Sequence, residues 1–79
     1  MLEVYYHEPS DMAKEDKISS EAMRCGGKLT YREEPSTHGQ SVCLTFEFSN
    51  QDAANKAIGL IRNLGEHVEG PYDYGQDGT

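Results

Sequence analysis

The sequence has few basic residues and no long hydrophobic run, and each shortage excludes a class of protein. Seven lysines and arginines stand against fourteen aspartates and glutamates, so the formal charge at pH 7 is −7. Such a charge opposes binding to nucleic-acid backbones and to anionic membranes. No apolar run approaches the roughly 18 residues that a bilayer-spanning helix needs, and no signal peptide opens the chain. We therefore expect a cytoplasmic protein that binds neither nucleic acid nor membrane.

The stretch from Ser41 to Leu64 carries the clearest structural pattern. Its first half alternates, and its second half repeats apolar residues three and four positions apart. The first pattern predicts a strand with one buried face, which includes Phe46, and the second predicts an amphipathic helix. Ser49 or Asn50 is suited to cap that helix. A strand followed by a helix in this way buries both apolar faces against each other.

The whole chain reads as strand, helix, strand, strand, helix, strand. Only the last strand, Glu66 to Glu69, has a weak pattern. This order predicts an α+β domain, the ferredoxin-like plait, with a four-stranded antiparallel sheet of order 4-1-3-2 and both helices on one face. The rival is a three-stranded sheet without the last strand. We expect one domain over residues 1–74 and a disordered tail over residues 75–79.

The two segments between the first strand and the loop predict a helix and a second alternating strand. The first helix, predicted to run from a Ser10 or Asp11 cap to about Cys25, has a thin apolar stripe, comprising Met12, Ile18, Ala22, Met23 and Cys25. Its outer positions are predicted to be Lys14, Glu15, Asp16 and Lys17. The second strand is predicted to point Leu29 and Tyr31 inward, and Lys28, Thr30 and Arg32 outward.

The face of the sheet away from the helices is the place where chemistry is expected. The alternation assigns nine side chains to it: Tyr5, His7, Thr30, Arg32, Cys43, Thr45, Glu47, His67 and Glu69. We predict that strand three runs parallel to strand one and strand four antiparallel to it, so that His7, Glu47 and His67 meet at one end. Two imidazoles and a carboxylate suit a divalent metal such as zinc. The alternative is a solvated polar surface.

The run from Ser41 to Ile58 resembles the strand-three region of the RNA-recognition motif, in which an aromatic-rich strand precedes a polar turn and an alanine-rich helix. The resemblance implies base stacking on the sheet. The chain departs from the motif where stacking needs it, because Cys43 and Thr45 take the places of the stacking aromatics. Tyr5 alone is placed to stack a base on strand one. RNA binding is therefore not expected.

Other catalytic patterns are weak. Gly26-Gly27 lacks the glycine and lysine spacing of a phosphate-binding loop and indicates a helix exit. Cys43 with His7 is a candidate thiolate pair, whereas a passive cysteine is the commoner case. Cys25 and Cys43 are predicted on opposite sides of the sheet, so both are expected to be free thiols.

The residues therefore predict a protein without catalytic activity or cofactor. The first hypothesis is a protein-interaction or regulatory module that binds a partner, or a second copy of itself, through the open sheet face. Tyr72 and Tyr74, in an acidic C-terminal stretch, are added to that face because tyrosine is favoured at interfaces. The alternatives are a small-ligand or metal-binding domain and an acidic mimic of nucleic acid. Fold alone does not choose among them.

Overall fold

The computed structural model of the chain describes residues 1–7, 10–35 and 41–72. The elements are, in chain order, β1 (Leu2–His7), α1 (Met12–Arg24), β2 (Lys28–Glu33), β3 (Ser41–Glu47), α2 (Gln51–Asn63) and β4 (His67–Glu69). The four strands form one antiparallel sheet with the order β2-β3-β1-β4, and the apolar sides of both helices join its core. The predicted small α+β domain with a four-stranded antiparallel sheet and two helices is thus confirmed.

The weak fourth strand does form. Three residues of β4 pair with β1, and the backbone of Tyr72 then bonds that of Met1 in both directions at 2.8 Å. The rival three-stranded sheet is therefore wrong. The predictions for Tyr74 and for the tail over residues 75–79 lie outside the described residues.

The core lies between the sheet and the two helices. Its largest fully buried side chain is Phe46, and the inward positions of β1 and β3 are buried around it, as the alternation predicts. Each buried large apolar side chain contributes roughly 1.5–3 kcal/mol against chain entropy. In the described residues, neither helix has the length and apolar character that crossing a membrane requires.

Both helices begin at the residue types that the sequence indicates. The side chain of Asp11 accepts from the backbone N–H of Lys14 at 3.1 Å, and that of Asn50 accepts from Ala53 at 2.8 Å. These bonds satisfy donors that a helix N-terminus otherwise leaves unpaired. Gly26 follows the cap of α1 with a φ of +82°, which an L side chain adopts only with strain.

The faces predicted for α1 are wrong at three positions, because two stripe residues are exposed and one outer residue is buried. Met12 and Met23 are 63% and 66% exposed, whereas Glu15, assigned to the outside, is 5% exposed. Ile18 and Ala22 are buried as predicted. The reason for the error at Glu15 is that a carboxylate faces inward when the fold supplies it with donors.

The predicted faces of β2 are wrong after its second residue. Leu29 lies opposite Phe46, but the register then shifts, so that Tyr31 lies opposite Thr45 and Arg32 lies opposite Leu44. This irregularity at Thr30 is a β-bulge, which inserts one residue and changes the face of every residue after it. Tyr31 therefore faces away from the helices, and Arg32 faces them.

Candidate interaction face

The side of the sheet that the helices leave uncovered, called the open face from here on, carries two rows of side chains that cross all four strands. The first row runs from β2 to β4 through Glu33, Cys43, Tyr5 and His67. Directly opposed residues on neighbouring strands have their Cβ atoms about 4.5–5.5 Å apart, which is close enough for neighbouring side chains in a row to interact.

The second row runs through Tyr31, Thr45, Glu3 and Glu69. Thr45 is buried at 7% exposure, while Tyr31 stands 56% exposed. Beyond the end of the row, the hydroxyl of Tyr72 donates to Glu69 Oε1 at 3.3 Å, and Tyr72 is 40% exposed. The open face therefore carries three tyrosines and three carboxylates, together with Cys43, Thr45 and His67.

The pair Glu3 and Glu69 is the most unusual feature of this face. They are direct cross-strand partners, and like charges in that position repel each other. Tyr5 donates its hydroxyl to Glu3 Oε1 at 2.9 Å, and His67 Nε2 lies 2.9 Å from Glu69 Oε2. The bond with His67 lowers the pKa of Glu69, and the desolvation of Tyr72, with the nearby Glu69 charge, raises the pKa of that phenol. In the described residues, neither carboxylate has a lysine or arginine ion-pair partner.

The first row contains the cysteine and the tyrosine that the sequence singled out. The hydrogen bond to Glu3, followed by burial, raises the pKa of Tyr5, so the phenol stays protonated. Burial raises the pKa of the Cys43 thiol. That shift works against the thiolate that the Cys43–His7 hypothesis requires. The ring of Tyr5 lies beside that of His67, with centroids 6.0 Å apart.

Two residues of β2 that were predicted on the open face, Thr30 and Arg32, do not both lie there. Thr30 sits at the bulge, where its hydroxyl lies 3.4 Å from the carbonyl oxygen of Thr45. Arg32 was predicted outward and is on the helix side. In its place the bulge brings Tyr31 and Glu33 to the open face, and the sequence analysis missed both there. The segment itself gave no signal for this, because Leu29 and Tyr31 alternate regularly and the bulge appears only in the pairing with β3.

The predicted metal-ligand cluster does not assemble, because β1 and β3 run antiparallel and the prediction that they run parallel is wrong. His7 lies opposite Ser41, six residues from Glu47, which at about 3.3 Å per residue is about 20 Å along the strand. His7 and His67 do come to the same end, where both line one cleft. Among the described residues, no group of three histidines, cysteines or acids is placed to hold a metal.

A second group of polar residues, on the helix side, was also missed. Glu15 accepts two bonds from Arg32, at 2.8 Å from both Nε and Nη2, and a short bond from the hydroxyl of Tyr6. The backbone N–H of Asp11 donates to that hydroxyl at 3.1 Å. The bonds from Arg32 lower the pKa of Glu15, and burial raises the pKa of Tyr6. We call these three side chains the inner cluster; it ties α1 to β1 and β2.

Comparisons with protein-family models, with curated proteins and with solved structures found no match to this chain.

Proposed function

We propose that this protein is a non-catalytic interaction module of the cytoplasm, and that the open face is the surface through which it binds a partner protein. The observation that carries the proposal is the exposure of Tyr31 and Tyr72 on the sheet face that lies opposite α1 and α2. Tyrosine is enriched at protein interfaces because its ring buries a large apolar area while its hydroxyl keeps a polar partner.

The shape of the surface supports this choice over a small-ligand site. Small molecules bind in concave, mostly apolar pockets, whereas a sheet face lined by rows of half-exposed side chains suits a broad contact. The raised pKa of Cys43 removes support for nucleophilic catalysis there. We also propose that the domain is a ferredoxin-like plait, supported by its order of elements and by its strand order, which reads 4-1-3-2 from the β4 edge.

The test begins with affinity capture of a partner and is decided by direct binding of that purified partner to variants. The double variant Tyr31→Ala/Tyr72→Ala removes the exposed rings of the open face. The matched control, Met12→Ala/Met23→Ala, removes from α1 two apolar side chains that are at least as exposed as the two tyrosines. We expect the tyrosine variant to weaken binding about tenfold or more, since interface tyrosines often contribute more than about 1 kcal/mol each.

The control should change the dissociation constant about twofold or less, in keeping with a contact surface on the other side of the domain. The opposite pattern, in which the methionine variant loses binding and the tyrosine variant keeps it, would place the interface on α1 and contradict the proposal. Spectra of both variants must match the wild type, so that loss of binding is not loss of fold.

A further inference from the structure

The basic residues of the protein are distributed unevenly between the two sides of the sheet. Five of the seven lie on the two helices, and a sixth, Arg32, faces the helices from β2. Lys28 is the seventh, and it lies opposite Glu47 at the edge of the sheet. The centre of the open face therefore carries carboxylates with no lysine or arginine opposite them. Its local charge is more negative than the net charge of the chain implies.

From this distribution we propose that the partner of the open face presents a basic segment, with the guanidinium of an arginine seated between Glu3 and Glu69. The inference rests on the proposed function, since it names the kind of partner that the same surface takes. An arginine offers five donors in a plane, enough to bond two carboxylates at once. The exposed ring of Tyr72, beside Glu69, offers a surface on which a guanidinium can stack.

The protein itself contains a precedent for this arrangement. In the inner cluster, a carboxylate that accepts from a tyrosine hydroxyl also accepts two bonds from Arg32. Glu3 accepts from Tyr5, and Glu69 accepts from Tyr72 and bonds His67, so both have the same kind of local support. What they lack, among the described residues, is a lysine or an arginine, since Glu69 has only the imidazole of His67 beside it at 2.9 Å. Charge complementarity assigns that basic group to the partner.

The same charges argue against two other occupants. A second copy of the chain, packed face to face, would bring like carboxylates together, which costs free energy. A single-stranded nucleic acid would find Tyr5 and Tyr31 for stacking, but its phosphates would meet Glu3, Glu33 and Glu69. A basic protein segment alone gains from both the rings and the carboxylates.

The experiment is a titration of the full-length, isotope-labelled protein, followed by NMR, with four probes. They are a peptide of alternating arginine and serine, the same peptide with lysine, the same with glutamate, and a uridine oligonucleotide. We expect the arginine peptide to shift residues of the open face, with an affinity about threefold or more above that of lysine because of its bidentate geometry. The glutamate peptide and the oligonucleotide should give no saturable shifts.

The variant for this test is Glu3→Gln/Glu69→Gln, and the control Asp16→Asn/Glu21→Gln removes the same charge from α1. We expect the first to weaken binding of the arginine peptide about five- to tenfold and the second about twofold or less. Equal losses in the two variants, shifts confined to the helices, saturable oligonucleotide binding or a dimer held by this face would each overturn the inference.

The two proposals fail in distinguishable ways. If a purified partner loses affinity for Tyr31→Ala/Tyr72→Ala but binds Glu3→Gln/Glu69→Gln as well as wild type, the open face is the interface and the arginine site is wrong. If neither variant affects that partner while the methionine variant does, the proposed function itself is wrong.

Discussion

Among the described residues, two places bring carboxylates together with tyrosine hydroxyls, and they differ in burial and in whether an arginine pairs with the carboxylate. In the inner cluster, Glu15 is 5% exposed and accepts bonds from Arg32 and Tyr6. On the open face, Glu3 and Glu69 lie side by side with tyrosine donors and, among the described residues, without a guanidinium or ammonium partner.

Burial and pairing together separate a structural site from a surface available for binding. A buried carboxylate must be paired, because desolvation of an unpaired charge costs several kcal/mol. An exposed pair tolerates repulsion, because water screens it and each cross-strand contact is worth only about 0.2–1 kcal/mol. We therefore expect the inner cluster to contribute to the stability of the fold, and the outer pair to be available for binding a partner.

The largest expected effect comes from breaking the inner cluster. Glu15→Ala leaves the buried hydroxyl of Tyr6 without its acceptor and Arg32 without its main ion pair. We therefore expect the free energy of unfolding to fall by about 2–4 kcal/mol. Asp16→Ala, one residue further along α1 on its exposed side, should stay within about 0.5 kcal/mol. Denaturant unfolding of both variants measures the difference. A loss at Glu15 no larger than that at Asp16 would show that the cluster contributes no net stability.

The pH dependence of stability should come more from the inner cluster than from the open face. The pKa of Glu15 is lowered by its bonds from Arg32, so its stabilisation is present above the ordinary carboxyl pKa near 4.5 and is lost as pH falls through the folded value. Wild-type protein should therefore lose stability below about pH 4.5, and Glu15→Gln should flatten that loss.

The bond with His67 also lowers the pKa of Glu69, so the stabilisation by Glu69 is likewise lost as the pH falls. Its contribution should be smaller, because the side chain is exposed and screened by solvent. Unfolding free energy measured from pH 7 to pH 2 for Glu15→Gln and Glu69→Gln distinguishes the two. If Glu69→Gln flattens the curve more than Glu15→Gln, then the ranking of the two sites is reversed.

The sequence predicted the order of elements, the inward faces of β1 and β3 and the caps of both helices, because these depend on local pattern. It did not predict the faces of β2. A bulge at Thr30 is set by pairing with β3, and nothing in the segment itself marks it. The burial of Glu15 was missed for a related reason, since its donors come from two other elements.

The predicted metal cluster was wrong because the relative direction of β1 and β3 was wrong. A sheet of order 4-1-3-2 built from this order of elements has β1 and β3 antiparallel, so the ends assigned to His7 and Glu47 were inconsistent with the predicted fold itself. The sequence therefore predicted that an open sheet face exists. Which tyrosines and carboxylates lie together on it became clear only from the strand register.

The smallest expected effect tests whether the outer pair repels. Glu3→Gln keeps an oxygen that can accept from Tyr5 while it removes one of the two facing charges, so we expect stability to rise by up to about 0.5 kcal/mol at low salt. The gain should shrink in 1 M salt, where the Debye length falls to about 3 Å. It should also disappear in a protein that already carries Glu69→Gln, because the second charge is then absent.

Denaturant unfolding of the four proteins of this cycle, at two salt concentrations, measures both effects. A stability loss for Glu3→Gln that is independent of salt and of Glu69 would mean that the hydrogen bond from Tyr5, and not repulsion, dominates at this position. The repulsion inferred between Glu3 and Glu69 would then be too weak to affect stability.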